Sequence, residues 1–69
     1  METVQSYLTY HSFEGGALSA EYARELLVDA IGSGFLVDAQ DINQIDVDLE
    51  VKAANESAAR MMHRMGLQP

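Results

Sequence analysis

The sequence predicts an α/β domain with the element order β-α-β-α. Three observations carry this expectation. Residues 3–10 are rich in β-branched and aromatic types, apolar residues between 23 and 31 recur at helical spacing, and residues 45–51 alternate strictly between apolar and acidic.

In the first segment, Val4, Leu8 and Tyr10 fall on one face of a strand at even spacing, with Ser6 between them. His11 to Leu18 contains Gly15-Gly16 and reads as a loop. Ser19 suits a helix N-cap, and Glu21 places a carboxylate in the first turn, where the helix dipole favours it. Ala23, Leu26, Leu27, Ala30 and Ile31 then form an apolar stripe, and Gly32 and Gly34 supply the stop. Phe35-Leu36-Val37 is a short apolar run, and Asp38 to Gln44 is polar and reads as a loop. From Ile45, the residues Ile45, Val47, Leu49 and Val51 share one strand face, opposite Asp46, Asp48 and Glu50. Asn55 reads as the N-cap of a C-terminal helix with the stripe Ala58, Met61, Met62, Met65. Gly66 is its C-cap signal, Leu67 folds back on the last turn, and Pro69 cannot continue it. The middle helix serves as a right-handed crossover between the two main strands. Two strands alone are marginal in water, so the sheet is expected to be extended by Phe35–Val37 or by a second copy in a homodimer.

The 69 residues make a single domain, 1–69. No cysteine is present, so neither a disulfide nor a thiolate metal site can brace so small a core. No apolar run has the length of a membrane helix, and Met1-Glu2-Thr3 opens no basic-then-apolar leader; a cytoplasmic protein is the expectation. The net charge is −7, unevenly placed. Residues 1–51 hold ten acids and one base, Arg24, whereas 52–69 hold Lys52, Arg60, Arg64 and a single acid, Glu56. Phosphate is repelled by the first three-quarters of such a chain, so direct binding of nucleic acid is not expected. A basic protein surface is attracted to it.

The acidic ladder Asp46, Asp48, Glu50 is the sharpest local feature. Carboxylates on alternate strand positions stand about 6.6–6.8 Å apart, the same order as neighbouring charges on a nucleic-acid backbone. With Asp38, Asp41 and the helix acids Glu21, Glu25 and Asp29, they form a candidate partner-binding surface that imitates phosphate. The competing reading is a solvated strand face. Residues 38–46 lack the glycine and acid spacing of an EF-hand, and successive carboxylates on one strand make a poor divalent site, so no metal is expected. His11 and His63 have no helix-spaced ligand partner. No nucleophile elbow and no P-loop occur, so neither catalytic residues nor a cofactor are expected. The methionine stripe fits a core, or an adaptable binding surface.

One stretch bears a likeness to a known family. Leu49, Val51, Asn55, Ala58, Gly66 and Leu67 sit at the spacing of the late strand and following helix of GNAT-type N-acetyltransferases, which residues 49–67 therefore resemble. Upstream, Ala23-Arg24-Glu25-Leu26-Leu27 is similar to the helix after that family's pyrophosphate loop, and residues 4–10 to the strand before it. The resemblance covers roughly the second half of such a domain. It implies a fold fragment more than an activity. At the loop positions Leu18, Glu21 and Ala23 only Ala23 fits, Glu21 sets a carboxylate where a dianion would approach, and Met62 stands where the family's tyrosine donates a proton.

The functional expectation is a small acidic, non-catalytic interaction protein. Its carboxylate-rich face would dock on a basic nucleic-acid-binding surface of a target protein, as a DNA mimic does. In size and charge it is similar to small phage anti-defence proteins, including anti-CRISPRs. The alternatives are a truncated GNAT-like protein that binds acetyl-CoA, and a structural dimerisation module.

Overall fold

The computed structural model describes residues 1–67 and contains three α-helices and one 3-10 turn. Helix α1 spans Val4–Gly15, α2 spans Ala20–Gly32, the 3-10 turn spans Ile42–Gln44, and α3 spans Val47–Arg64. Among the described residues there is no sheet; an isolated parallel bridge joins Glu2 to Leu36. The expected α/β fold is therefore wrong, and the domain is all-α. The sheet that Phe35–Val37 or a second copy would have extended does not exist. The expectation for Pro69 lies outside the described residues.

Both expected strands are helical for an identifiable reason. A spacing of four satisfies a period of two, and it also satisfies one of 3.6. Val4, Leu8 and Ser12 bury one stripe of α1, and Val47, Val51, Ala54 and Ala58 lie along one stripe of α3. The residues that suggested alternation are the exposed ones: Tyr10 retains 58% of its accessible surface and Leu49 62%. Two short strands would leave most of their edge groups unpaired, whereas each helix satisfies its backbone internally.

Local signals agree with helix once the period is settled. Thr3 and Ser6 form a reciprocal capping box at the start of α1. The Asp38 carboxylate adds a second cap, accepting the Val4 N–H at 2.9 Å from the far side of the chain. Asp46 is the N-cap of α3 and accepts from the Leu49 N–H at 3.3 Å, while Asp48 and Glu50 occupy its first turn. The acidic ladder is thus a helix N-terminus, and the helix begins eight residues before the expected cap at Asn55. Replacing Asp46 with alanine is expected to lower the melting temperature by about 4–8 °C, and Asp46→Ser to recover most of the loss. Unchanged melting of Asp46→Ala in a thermal scan would show that α3 starts elsewhere.

The middle helix lies where the sequence placed it, capped by Ser19 and burying Ala23, Leu27 and Ala30. It closes on Gly34, whose φ of +70° suits glycine. The Phe35 N–H returns to the Ala30 carbonyl at 2.9 Å and the Gly34 N–H to Ile31 at 3.0 Å, the pairing of a Schellman cap.

Helix α1 packs chiefly on α3, and α2 packs on α3 and the 3-10 turn. Leu8, Leu27, Ala23, Ala54 and Ala58 are fully buried. Alanine at 54 and 58 removes side-chain bulk from the face of α3 that meets its neighbours. The chain then returns from α2 through Phe35–Val37, which flanks Glu2 with two backbone hydrogen bonds of 3.0 and 2.8 Å.

Candidate interaction surface

The eight acids singled out in the sequence divide into two groups. Four have intramolecular roles. Asp38 caps α1, and Asp41 caps the 3-10 turn by accepting from the Asn43 N–H at 3.1 Å. Asp46 caps α3, and Glu50 accepts from Gln5 Nε2 at 2.7 Å through Oε1 and at 2.8 Å through its backbone oxygen. Gln5 thereby ties α1 to the first turn of α3.

The other four are exposed and make no side-chain hydrogen bond among the described residues. Glu21, Glu25 and Asp29 recur every fourth residue on α2, and all three are exposed. At a rise of about 1.5 Å per residue, successive carboxylates climb about 6 Å along the helix. The charge spacing first read on a strand therefore reappears on a helix, carried by different residues. The fold also brings α2 beside the start of α3. Glu21 and Arg24 share an open cleft with Asp46 and Asp48. The result is an edge in which the α2 acids continue across the cleft to Asp48, with Arg24 as the cation among them. No linear distance in the sequence indicates that Glu21 and Asp48 line one cleft.

A side-chain network that the sequence did not reveal joins α3 to α1 and to the α1–α2 connection. Asn55 is inside α3, not at its cap. Its Nδ2 donates to the Leu18 carbonyl at 2.9 Å, and its Oδ1 accepts from the Leu18 N–H at 2.9 Å and the Ser12 hydroxyl at 2.8 Å. It grips the backbone of the α1–α2 connection as a neighbouring strand would. The polar residue inside an apolar stripe was the available signal. Leu18, which the GNAT resemblance matched to the start of a pyrophosphate loop, thus spends both backbone groups on Asn55. The late strand of that resemblance, at Leu49–Val51, is part of α3.

His11 belongs to an aromatic cluster. Its ring meets Tyr7 edge-on with centroids 4.6 Å apart, and Tyr7 meets Phe35 at 5.5 Å. Burial, with smaller contributions from Asp29 and Tyr22, holds the Tyr7 phenol above its usual range. His63 is exposed in the last turn of α3, and Met62 is half-buried. Among the described residues, no cluster of three or more His, Cys, Asp or Glu could hold a metal ion, and no helix is long and apolar enough to cross a membrane.

Fold and surface together define a small all-helical domain with an acidic edge formed by α2 and the start of α3. No family model matches the chain, and no curated protein or solved structure is significantly similar to it.

Proposed function

We propose that this domain is a non-catalytic interaction module. Its acidic edge docks on a basic surface of a target protein, of the kind that otherwise holds nucleic acid. The observation that supports the reading is the stripe Glu21, Glu25, Asp29, exposed at regular spacing and continued by Asp48 across the cleft. Surface carboxylates with no structural task cost little to keep, but aligned like charges repel one another. A cationic partner relieves that repulsion and is drawn in by the long-range field of the acidic half of the chain. Asp38, Asp41, Asp46 and Glu50 drop out of the contact set, because their oxygens already serve the fold.

The test uses displacement. Proteins from the source cell that are retained on double-stranded DNA cellulose are challenged with the purified chain. One protein is expected to be released and to leave as a complex with the chain, with release weakening as salt rises. The triple variant E21K/E25K/D29K is expected to keep its helical circular dichroism and to lose release. Equal release by that variant, or release insensitive to salt, would reject the acidic edge as the docking surface.

A further inference from the structure

The apolar stripe of α3 does not stop where its cover stops. Val47, Val51, Ala54, Ala58, Met62 and Met65 follow one face of a single helix at its natural period. Up to Ala58 that face is covered by the rest of the domain, and Val51, Ala54 and Ala58 are buried. Helix α1 ends at Gly15, and among the described residues the cover thins beyond it: Met62 is half-buried and Met61 and Met65 are exposed. Met61 is then 39% exposed, Met65 60% and Leu67 58%. Residue size changes at the same point, from alanine under the cover to methionine beyond it.

The uncovered end is a finished helix. Gly66 has a φ of +72°, the Leu67 N–H returns to the Met62 carbonyl at 2.9 Å, and the Gly66 N–H returns to His63 at 3.1 Å. Beside it runs a groove shared by Thr9, Tyr10, Phe13, Glu14, Ser57 and Met61. A methionine-rich face next to a groove lined by Tyr10 and Phe13 has the apolar, adaptable character that a docking surface needs.

Charge indicates what fills it. This end of the chain is the basic end, with Arg60 and Arg64 exposed near the methionines, while Glu14 lines the groove beside Met61. Two copies of a strongly acidic chain repel each other across most of their surfaces, and this is the region where a cation and a carboxylate flank one apolar strip. An antiparallel pairing about a two-fold axis sets the Arg64 end of one copy against the Glu14 end of the other, twice. We propose that the end of α3 is the seam of such a homodimer. Met61, Met62 and Met65 pack on their counterparts, and Arg64 of each copy faces Glu14 of the other. Glu21, Glu25 and Asp29 take no part, so the acidic edge remains free in the dimer.

Sedimentation equilibrium over a micromolar to millimolar range tests this. The wild type is expected to be a reversible dimer, and Met65→Lys a monomer with unchanged circular dichroism. The single variants Arg64→Glu and Glu14→Arg are each expected to raise the dissociation constant about tenfold, and the double variant E14R/R64E to restore it. A wild type that stays monomeric at millimolar concentration would overturn the proposal. So would a dimer indifferent to Met65→Lys, or a double variant no tighter than the singles. Because readout is self-association alone, failure here leaves the acidic-edge reading to its own experiment.

Discussion

Asn55→Ala melts far below the wild type, or does not fold at all near physiological temperature. The wild-type amide serves three groups: the N–H and carbonyl of Leu18, and the hydroxyl of Ser12. Ser12 is 1% exposed and lies among apolar residues, so its hydroxyl has no ready access to water once the amide is gone. Each polar group left unpaired in such surroundings costs about 1–3 kcal/mol. A core of this size supplies about 3–5 kcal/mol in all, so losing this one side chain removes most of the margin. Asn55→Asp separates the two halves of the grip. The carboxylate keeps the acceptor for Leu18 N–H and Ser12 but cannot donate to the Leu18 carbonyl. The Asp variant therefore leaves the Leu18 carbonyl unpaired and sets a carboxylate oxygen against it, so it too is expected to melt below wild type. Thermal scans of both variants check this. An Asn55→Ala melting point within a few degrees of wild type would show that the grip contributes nothing.

Leu8→Ala is the second large expected effect. Leu8 is fully buried at the centre of the α1 stripe that faces α3, and it is one of the largest side chains wholly out of solvent. Deleting its three outer carbons removes transfer energy and leaves a cavity, together about 2–5 kcal/mol. The urea midpoint falls accordingly, with an unchanged slope if the variant still unfolds in one step. The informative comparison is Tyr10→Ala. A strand places Tyr10 on the same face as Leu8, whereas α1 turns it outward, 58% exposed. The helical fold therefore expects Tyr10→Ala to cost no more than about 0.5 kcal/mol. Leu49→Ala against Val51→Ala repeats the comparison in α3, with Leu49 the indifferent position. Comparable losses within either pair would contradict the helical assignment.

Those comparisons mark the places where the sequence was ambiguous. Helix α2 was legible because its signals agree: Ser19 as cap, Glu21 in the first turn, a long stripe from Ala23 to Ile31, and Gly34 beyond the end. In α1 and the first half of α3 the signals conflict. Val4, Leu8 and Tyr10, and Ile45, Val47, Leu49 and Val51, satisfy alternation and carry β-favouring side chains. The Thr3–Ser6 box and the run of acids at an N-terminus point to helix. The candidate surface was half legible. The sequence grouped Glu21, Glu25 and Asp29 only as acids of one helix, and the structure sets them in one exposed stripe at a four-residue spacing. Which other carboxylates are free was not legible, because Asp38 and Glu50 are engaged by residues 34 and 45 positions away.

The amino-acid sequence by itself determined the charge and its asymmetry, the lack of any cysteine brace, the middle helix with its caps, and the glycine that closes α3. These depend on composition or on partners within one helical turn. The tertiary structure alone decided that residues 4–10 and 47–51 are helical, that Asn55 grips Leu18, and that the acidic ladder at 46–50 is a helix start while Glu21 lines one cleft with Asp48. The physical reason is common to all of them. A four-residue spacing fits both backbone periods, and the choice falls to contacts made across tens of residues, which local pattern does not contain.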